Sequence, residues 1–254
     1  MLAKLVASGC SHHIGCSCFA DYATVSRRSL VKVDPELPLD IAALFGCAIL
    51  TGVGAVLNTG RVTPGSSVAV VGLGGVGLSS ILGAVVAGAR QIVAVDLLPD
   101  KLAFAKKLGA TDAFNASEPD CVQKVREATQ GGVEFAFELA GSVKAMELAY
   151  KITGRGGTTV TAGLPPAADA IPIPQVNLVA EERTVKGSYI GSCVPSRDLP
   201  RYVALYQQGR LPVDRLVTNR LQLEGLNAAL DCLHEGFSIY KIIYRQMGRT
   251  TSVR

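Results

Sequence analysis

The stretch from Val68 to Asp96, VAVVGLGGVGLSSILGAVVAGARQIVAVD, decides the fold. Four small apolar residues, Val68 to Val71, make a short buried strand that runs directly into Gly72-Leu73-Gly74-Gly75-Val76-Gly77. An apolar, alanine-rich segment to Ala89 has helical length, and a second strand, Ile92 to Val95, ends in Asp96. This is the strand–GxGxxG–helix–strand–acid order of a dinucleotide-binding βαβ unit. Gly72 permits the tight turn, Gly74 lets the backbone approach a pyrophosphate, and Gly77 allows close packing of helix on strand. A helix beginning near Gly75 and Val76 presents unpaired N–H groups and the positive end of its dipole to the phosphates. Asp96 lies 24 residues after Gly72, near the usual spacing for an acid that accepts from ribose hydroxyls. A carboxylate there repels a 2′-phosphate, so NAD is favoured over NADP.

Working outward, 254 residues hold one large or two modest domains with a sizeable core. Charged residues make up 18% of the chain, and 48% is hydrophobic, which argues against disorder. A net charge of +4, without clustered basic and aromatic residues, gives no reason to expect nucleic acid. Val62 to Ala89 and Ile41 to Leu57 are uncharged runs, but glycines and turn residues break both. Buried elements of an α/β core explain them better than a membrane span. The apolar part of MLAKLVASGC is too short for a secretion signal. Seven cysteines form no secreted disulfide framework, so a reducing cytoplasm is the expected compartment.

Cys10 to Cys18, CSHHIGCSC, packs three cysteines and two histidines into nine residues, yet the spacing fits no common zinc pattern. Phe19 to Val33 alternates like antiparallel strands, and Asp40 is placed to cap a helix through Ile41 to Phe45. Leu44 to Gly54 reads as a helix end followed by a glycine-rich segment. After Asp96, helices are expected over Pro99 to Leu108, Glu118 to Thr129 and from a Ser142 cap to Lys151. Strands are expected over Ala110 to Asn115, Val133 to Leu139, Gly157 to Gly163 and Thr184 to Ile190. Later helices fall at Pro195 to Gln208 and Leu223 to Leu233, and the basic tail from Tyr240 reads as a solvated terminus. From Val68 to Gly163 strands and helices alternate, the pattern of a doubly wound parallel sheet. Gly72, Asp96, Ala140-Gly141 and Ala162-Gly163 all fall at the carboxyl ends of strands, where such sheets bind ligands.

One block reaches further. LFGCAILTGVGAVLNTGRVTPGSSVAVVGLGGVGLSS, extended by GGTTVTAGLPP and TVKGSYIGS, closely resembles the zinc-containing medium-chain alcohol dehydrogenases. The branch it looks like is that of bacterial alcohol dehydrogenases and glutathione-dependent formaldehyde dehydrogenases, and the match covers most of residues 14 to 236. The resemblance implies an α/β Rossmann fold with remnants of a β-rich catalytic domain at both ends. Residues 1–45 would be a partial catalytic-domain remnant, 46–186 the NAD-binding domain, and 187–254 a return to the catalytic domain. It also implies cofactors NAD and zinc, an alcohol or aldehyde substrate, and a homo-oligomer, dimer or tetramer. Cys47 stands at a ligand of catalytic zinc, and Thr51 at a threonine beside the nicotinamide. Lys101 matches a lysine that helps Asp96 hold the adenosine ribose. Ala162, Gly163 and Leu164, with Ser188, Tyr189 and Ile190, match backbone that lines the nicotinamide. Read without the resemblance, Cys47 is a buried structural cysteine, since free cysteine packs as a small hydrophobe.

The departures shape the expectation. The family's C-x-T-D and G-H-E motifs and four-cysteine lobe do not occur here, so one zinc ligand of the usual three is retained. His12, His13 and Cys16 match a cleft-lining strand instead of ligands. Tyr240 stands where the family usually has a phosphate-binding arginine. The chain therefore reads as a member lacking the front half of its catalytic domain, with little or no activity expected of it alone. Two alternatives stay open: an NAD-binding module without chemistry, and a zinc-free reductase of the quinone reductase type.

Overall fold

The computed structural model describes residues 25–234 and 241–243. They fall into two compact units that divide between Glu36 and Leu37. In the first, Arg27–Ser29 is a single 3₁₀ turn whose Arg28 N–H donates to the Ser26 hydroxyl, 3.3 Å. The alternation read as strands over Phe19 to Val33 therefore fails in its described part, because local serine capping wins over a ladder. Residues 19–24 and the Cys10–Cys18 cluster lie outside the described residues.

The second unit is built on a six-stranded sheet: β1 (Ser67–Val71), β2 (Gln91–Asp96), β3 (Asp112–Asn115), β4 (Val133–Glu138), β5 (Thr153–Thr161) and β6 (Thr184–Gly187). All neighbours pair in parallel, in the order β3-β2-β1-β4-β5-β6. This is the doubly wound arrangement expected from the alternating pattern, with its switch point between β1 and β4. Helices α1 (Leu39–Leu44) and α2 (Ala48–Gly54) precede the sheet. Helices α3 (Gly75–Ala87), α4 (Pro99–Leu108), α5 (Cys121–Ala128) and α6 (Val143–Ile152) connect its strands, and α7 (Gln175–Ala180) precedes β6. After the sheet come α8 (Pro195–Gln207), β7 (Asn219–Leu221), α9 (Leu226–His234) and β8 (Lys241–Ile243), with β7 and β8 paired in parallel. The small second sheet absorbs Lys241 from the tail that read as solvated.

Burial explains the uncharged runs. β1 is buried at all five positions, and Gly77 to Ala84 of α3 are buried without interruption. A helix apolar all round must be covered on both sides. One side of α3 faces the sheet, and α2 crosses the other at small residues. A Cβ added at Gly52 would lie 2.3 Å from the Val76 carbonyl oxygen, and the Ser80 hydroxyl donates to the Gly52 carbonyl at 2.8 Å. On the opposite face of the sheet, Val71, Val93, Val95 and Ala136 pack with Val125 and Ile152. Among the described residues no helix is long and apolar enough to cross a membrane.

Other expectations move by local chemistry. Pro38, not Asp40, occupies the cap of α1; the Asp40 carboxylate accepts from its neighbour Ile41 at 3.0 Å and pairs with Arg220 at 2.9 Å. The glycine-rich segment after Cys47 is α2, and it continues into a π-helical turn, Ala55–Gly60, closed by Arg61 in the left-handed region. β5 starts earlier than Gly157, with a register shift against β4. Ser142 caps α6 as expected, accepting from Ala145 at 3.2 Å.

Asp198 anchors the start of α8. Its buried carboxylate accepts from Val194 N–H at 2.8 Å and pairs with Arg197 at 2.7 Å and Arg201 at 3.4 Å. The Arg197 guanidinium holds this carboxyl below the usual carboxylate range. A lowered folded value gives stability that is complete above the unfolded pKa of about 3.9 and is lost as pH falls through the folded value. Asp198→Asn is thus expected to be less stable at neutral pH and to lose stability less steeply on acidification, followed by urea midpoints between neutral and acid pH. The α2–α3 crossing makes a separate prediction. Gly52→Ala should cost roughly 1–3 kcal/mol by overpacking. Gly187→Ala, where an added Cβ meets nothing within 4 Å, should be close to neutral in the same urea titration.

Candidate functional site

Three glycines of the Gly72–Gly77 loop answer to three different constraints. Gly72 has φ +92°, and a Cβ there would lie 2.7 Å from the Ala140 nitrogen. A Cβ at Gly77 would lie 1.8 Å from the Gly72 carbonyl oxygen, so helix and loop touch backbone to backbone. Gly74 differs from both. Its φ of −74° suits any residue, and a Cβ there would meet nothing within 4 Å. The fold itself does not require glycine at this position. The space it leaves adjoins the start of α3, a 13-residue helix whose first N–H groups have no acceptor within the helix. Such a cradle fits a pyrophosphate.

Asp96 closes β2 beside this loop. Its carboxylate accepts from Leu73 N–H at 2.6 Å and from Leu98 N–H at 3.0 Å, which ties the acid to the glycine loop. Both oxygens keep lone pairs for further donors. Lys101 stands in the first turn of α4, half-buried, three residues beyond Leu98.

Across the switch point, the loops after β4 and β5 are in backbone contact. A Cβ at Gly163 would sit 2.4 Å from the Gly141 nitrogen, and one at Gly141 would sit 3.2 Å from the Leu164 nitrogen. Glu138 holds them. Only 1% exposed, it accepts from Ala140 N–H at 2.9 Å, Gly141 N–H at 2.6 Å and the Thr161 hydroxyl at 2.7 Å. Glu138 itself is the buried partner, and removing it would take away three hydrogen bonds worth roughly 0.5–1.5 kcal/mol each. Sequence reasoning passed over Glu138; the signal was an acid at the carboxyl end of a strand, directly before the Ala140-Gly141 turn. Leu164 is 82% exposed and lines this edge without packing.

The segment after β6 turns sooner than expected. The strand ends at Gly187, and Ile190–Ser192 forms a short turn instead of continuing to Ile190. Ser188 N–H donates to the Thr161 carbonyl at 2.8 Å, so Ser188 sits at the carboxyl edge beside Ala162, with Tyr189 exposed. The turn leans on α2. A Cβ at Gly191 would lie 2.2 Å from the Leu50 carbonyl oxygen, and one at Gly54 would lie 2.5 Å from the Cys193 sulfur. These contacts explain both glycines of Thr51-Gly52-Val53-Gly54: Gly52 meets α3 and Gly54 meets the turn.

Cys47 and Thr51 lie on the helix so wedged. Cys47 is the N-cap of α2 and is exposed, which corrects the reading of a buried structural cysteine. Thr51 is buried, and its hydroxyl donates to the Cys47 carbonyl at 2.9 Å. No group of three His, Cys, Asp or Glu able to hold a metal occurs among the described residues. His12, His13 and Cys16 lie outside them. The described donor set does not fit a three-ligand zinc site, and no step is assigned to the metal.

Comparison with known proteins places this geometry. The family model described as zinc-binding dehydrogenase matches residues 75–208. Alcohol dehydrogenase 1 of Pisum sativum is 38% identical over 235 residues, covering 91% of this chain and 62% of its own length. A probable S-(hydroxymethyl)glutathione dehydrogenase 1 of Schizosaccharomyces pombe is 40% identical over 234 residues, with the same coverage. The crystal structure of an alcohol dehydrogenase zinc-binding domain protein from Burkholderia ambifaria superposes with a TM-score of 0.88 at 37% identity, covering 92% of this chain and 63% of that one. The chain thus spans a little over three-fifths of the length of the relatives it matches. With the glycine loop, the acid after β2 and the switch-point sheet in place, the chain belongs to the zinc-binding dehydrogenase family.

Proposed function

We propose that this chain forms the cofactor-holding part of an NAD-dependent alcohol dehydrogenase, oxidising an alcohol to an aldehyde or ketone and reducing it in reverse. The observation that carries the reading is Gly74: a glycine with ordinary φ and open space around it, beside a helix start, leaves room for a phosphate against the helix N–H groups. Family membership and the relatives named as alcohol dehydrogenases support the chemistry. In this reading the adenosine ribose lies against Asp96 and Lys101, and the pyrophosphate against Gly72, Gly74, Gly75, Val76 and Gly77. The nicotinamide lies along Ala140-Gly141, Ala162-Gly163-Leu164 and Ser188-Tyr189-Ile190. Asp96 disfavours a 2′-phosphate by like-charge repulsion, so NAD is the partner.

When bound, NAD supplies the acceptor carbon for a hydride from the alcohol carbon, and the hydroxyl proton leaves to solvent or a base. The chain's task is to fix the two carbons within reacting distance. Thr51, whose hydroxyl already holds the Cys47 carbonyl, keeps the start of α2 in place beneath the reacting end. Cys47 is proposed as a zinc ligand that needs partners beyond the described residues. We further propose a cytoplasmic homo-oligomer. The unpaired Cys47, Cys121 and Cys193 support a reducing compartment, and the exposed Val176 and Val179 of α7 support association.

Isothermal titration calorimetry tests the reading. NADH should release heat on the purified chain and NADPH should bind more weakly. Gly74→Val should remove the NADH heat with at most a small fall in melting temperature, because its Cβ enters open space while valine caps the helix less well than glycine. Unchanged NADH binding in Gly74→Val would refute the cradle. Separately, the chain alone should show little turnover of alcohols with NAD, with or without added zinc; robust NADH formation would overturn that expectation.

A further inference from the structure

The turn after β6 is built against the grain of L-amino acids. Ile190, Gly191 and Ser192 have φ of +48°, +64° and +50°, three left-handed residues in succession. Ile190 is β-branched, the residue type least suited to that region. Strained backbone of this kind persists only where its surroundings over-determine it, and it concentrates at functional sites. Two bonds within the turn, Ser192 N–H to the Tyr189 carbonyl at 2.9 Å and Cys193 N–H to the Ile190 carbonyl at 3.2 Å, are too local to hold it alone.

Part of the remaining grip is α2 itself, through the close approach of Gly191 to Leu50 and the Cys193 thiol on the Leu50 carbonyl at 3.3 Å. The rest comes from the π-helical turn that follows α2. Thr59 is buried, and its hydroxyl lies 2.8 Å from the Ser188 hydroxyl and 2.8 Å from that of Ser192. One hydroxyl that donates to one serine and accepts from the other bridges both flanks of the turn. The Asn58 side-chain amide adds a bond to the Gly191 carbonyl at 3.3 Å and reaches Cys193 and Tyr202 at the same distance. Cys193 and Tyr202 serve there as neutral groups, since burial pushes both the thiol and the phenol upward. π-Helical widening is itself frequent beside functional sites.

Sheet order says which end of a dinucleotide this turn meets. Asp96 ends β2, on one side of the switch point, whereas Ser188 follows β6, the outermost strand on the other. A ligand whose ribose is held at Asp96 and whose phosphates cross at the switch point sends its second half toward β4, β5 and β6. We propose that Thr59 is a positioning residue: it clamps the left-handed turn so that the backbone of Ser188, Tyr189 and Ile190 is preset for the nicotinamide half of the cofactor. This rests on the NAD reading above.

The experiment compares NADH with ADP-ribose, which lacks only the nicotinamide, by calorimetry on the full chain. Thr59→Val keeps the shape and loses both hydroxyl bonds. It should weaken NADH about tenfold, the effect of one to two hydrogen bonds, while ADP-ribose stays within about twofold. Thr59→Ser keeps the hydroxyl and should bind NADH like the unaltered chain. If Thr59→Val does not fold, Ser192→Ala, at an exposed position, removes one of the two bonds and should show a smaller loss with the same selectivity for NADH. The clamp is overturned if the valine variant binds NADH normally, if both ligands weaken equally, or if serine fails to restore binding. Should the unaltered chain bind neither ligand, the NAD reading falls first and takes the clamp with it, a result visible without any variant.

Discussion

Backbone touching backbone at Gly72 and Gly77 is the contact on which the rest of the molecule depends. With less than the width of a methyl group between the Gly77 α-carbon and the Gly72 carbonyl, α3 starts immediately over the end of β1. That closeness aims the first N–H groups of the helix into the space beside Gly74, and it sets the height at which α2 crosses α3. Gly52 repeats the device on the far side of the helix. Two glycine contacts thus place the proposed phosphate cradle, and the helix that carries Cys47 and Thr51, in one rigid stack. Interiors packed at crystal-like density transmit such placement with little slack.

The carboxyl edge is held by a different principle. Loops there do not rely on side-chain burial, and Leu164 and Tyr189 are exposed. Polar groups do the holding instead. Glu138 organises the loops after β4 and β5 through three hydrogen bonds, Asp96 ties the loop after β1 to the end of β2, and Thr59 reaches both serines of the turn after β6. Each is a buried or half-buried group whose partners would be costly to leave unmade. Strain at Ile190 and Ser192, worth about 1–3 kcal/mol at each non-glycine position, is tolerated because these bonds and the Gly191–Leu50 contact oppose its release.

Much of this was legible in the chain as written. The apolar strands, the glycine loop, Asp96 and the helix from Pro99 to Leu108 follow from periodicity and turn chemistry, and they return in place. The misreadings come from hydrogen-bond partners that composition does not reveal, some local and some distant. Phe19 to Val33 alternates, but in its described part serine capping replaces the ladder; Thr184 to Ile190 has strand composition, but α2 and Thr59 bend its end into a turn. Asp40 has the right chemistry for a cap, but Pro38 stands one residue ahead of the helix and Arg220, 180 residues away, takes the carboxylate.

The sequence by itself determined the order of strands and helices, the glycine loop and the acid that follows it, because these depend on residue type and spacing within some thirty positions. Only the tertiary structure decided why Gly52 and Gly54 are there, which buried polar group holds which loop, and that Cys47 is exposed. Those answers arise from contacts between separate segments, with sequence separations from 23 for Glu138 with Thr161 to 129 and 133 for Thr59 with Ser188 and Ser192, and such pairings leave no periodic trace in a single chain.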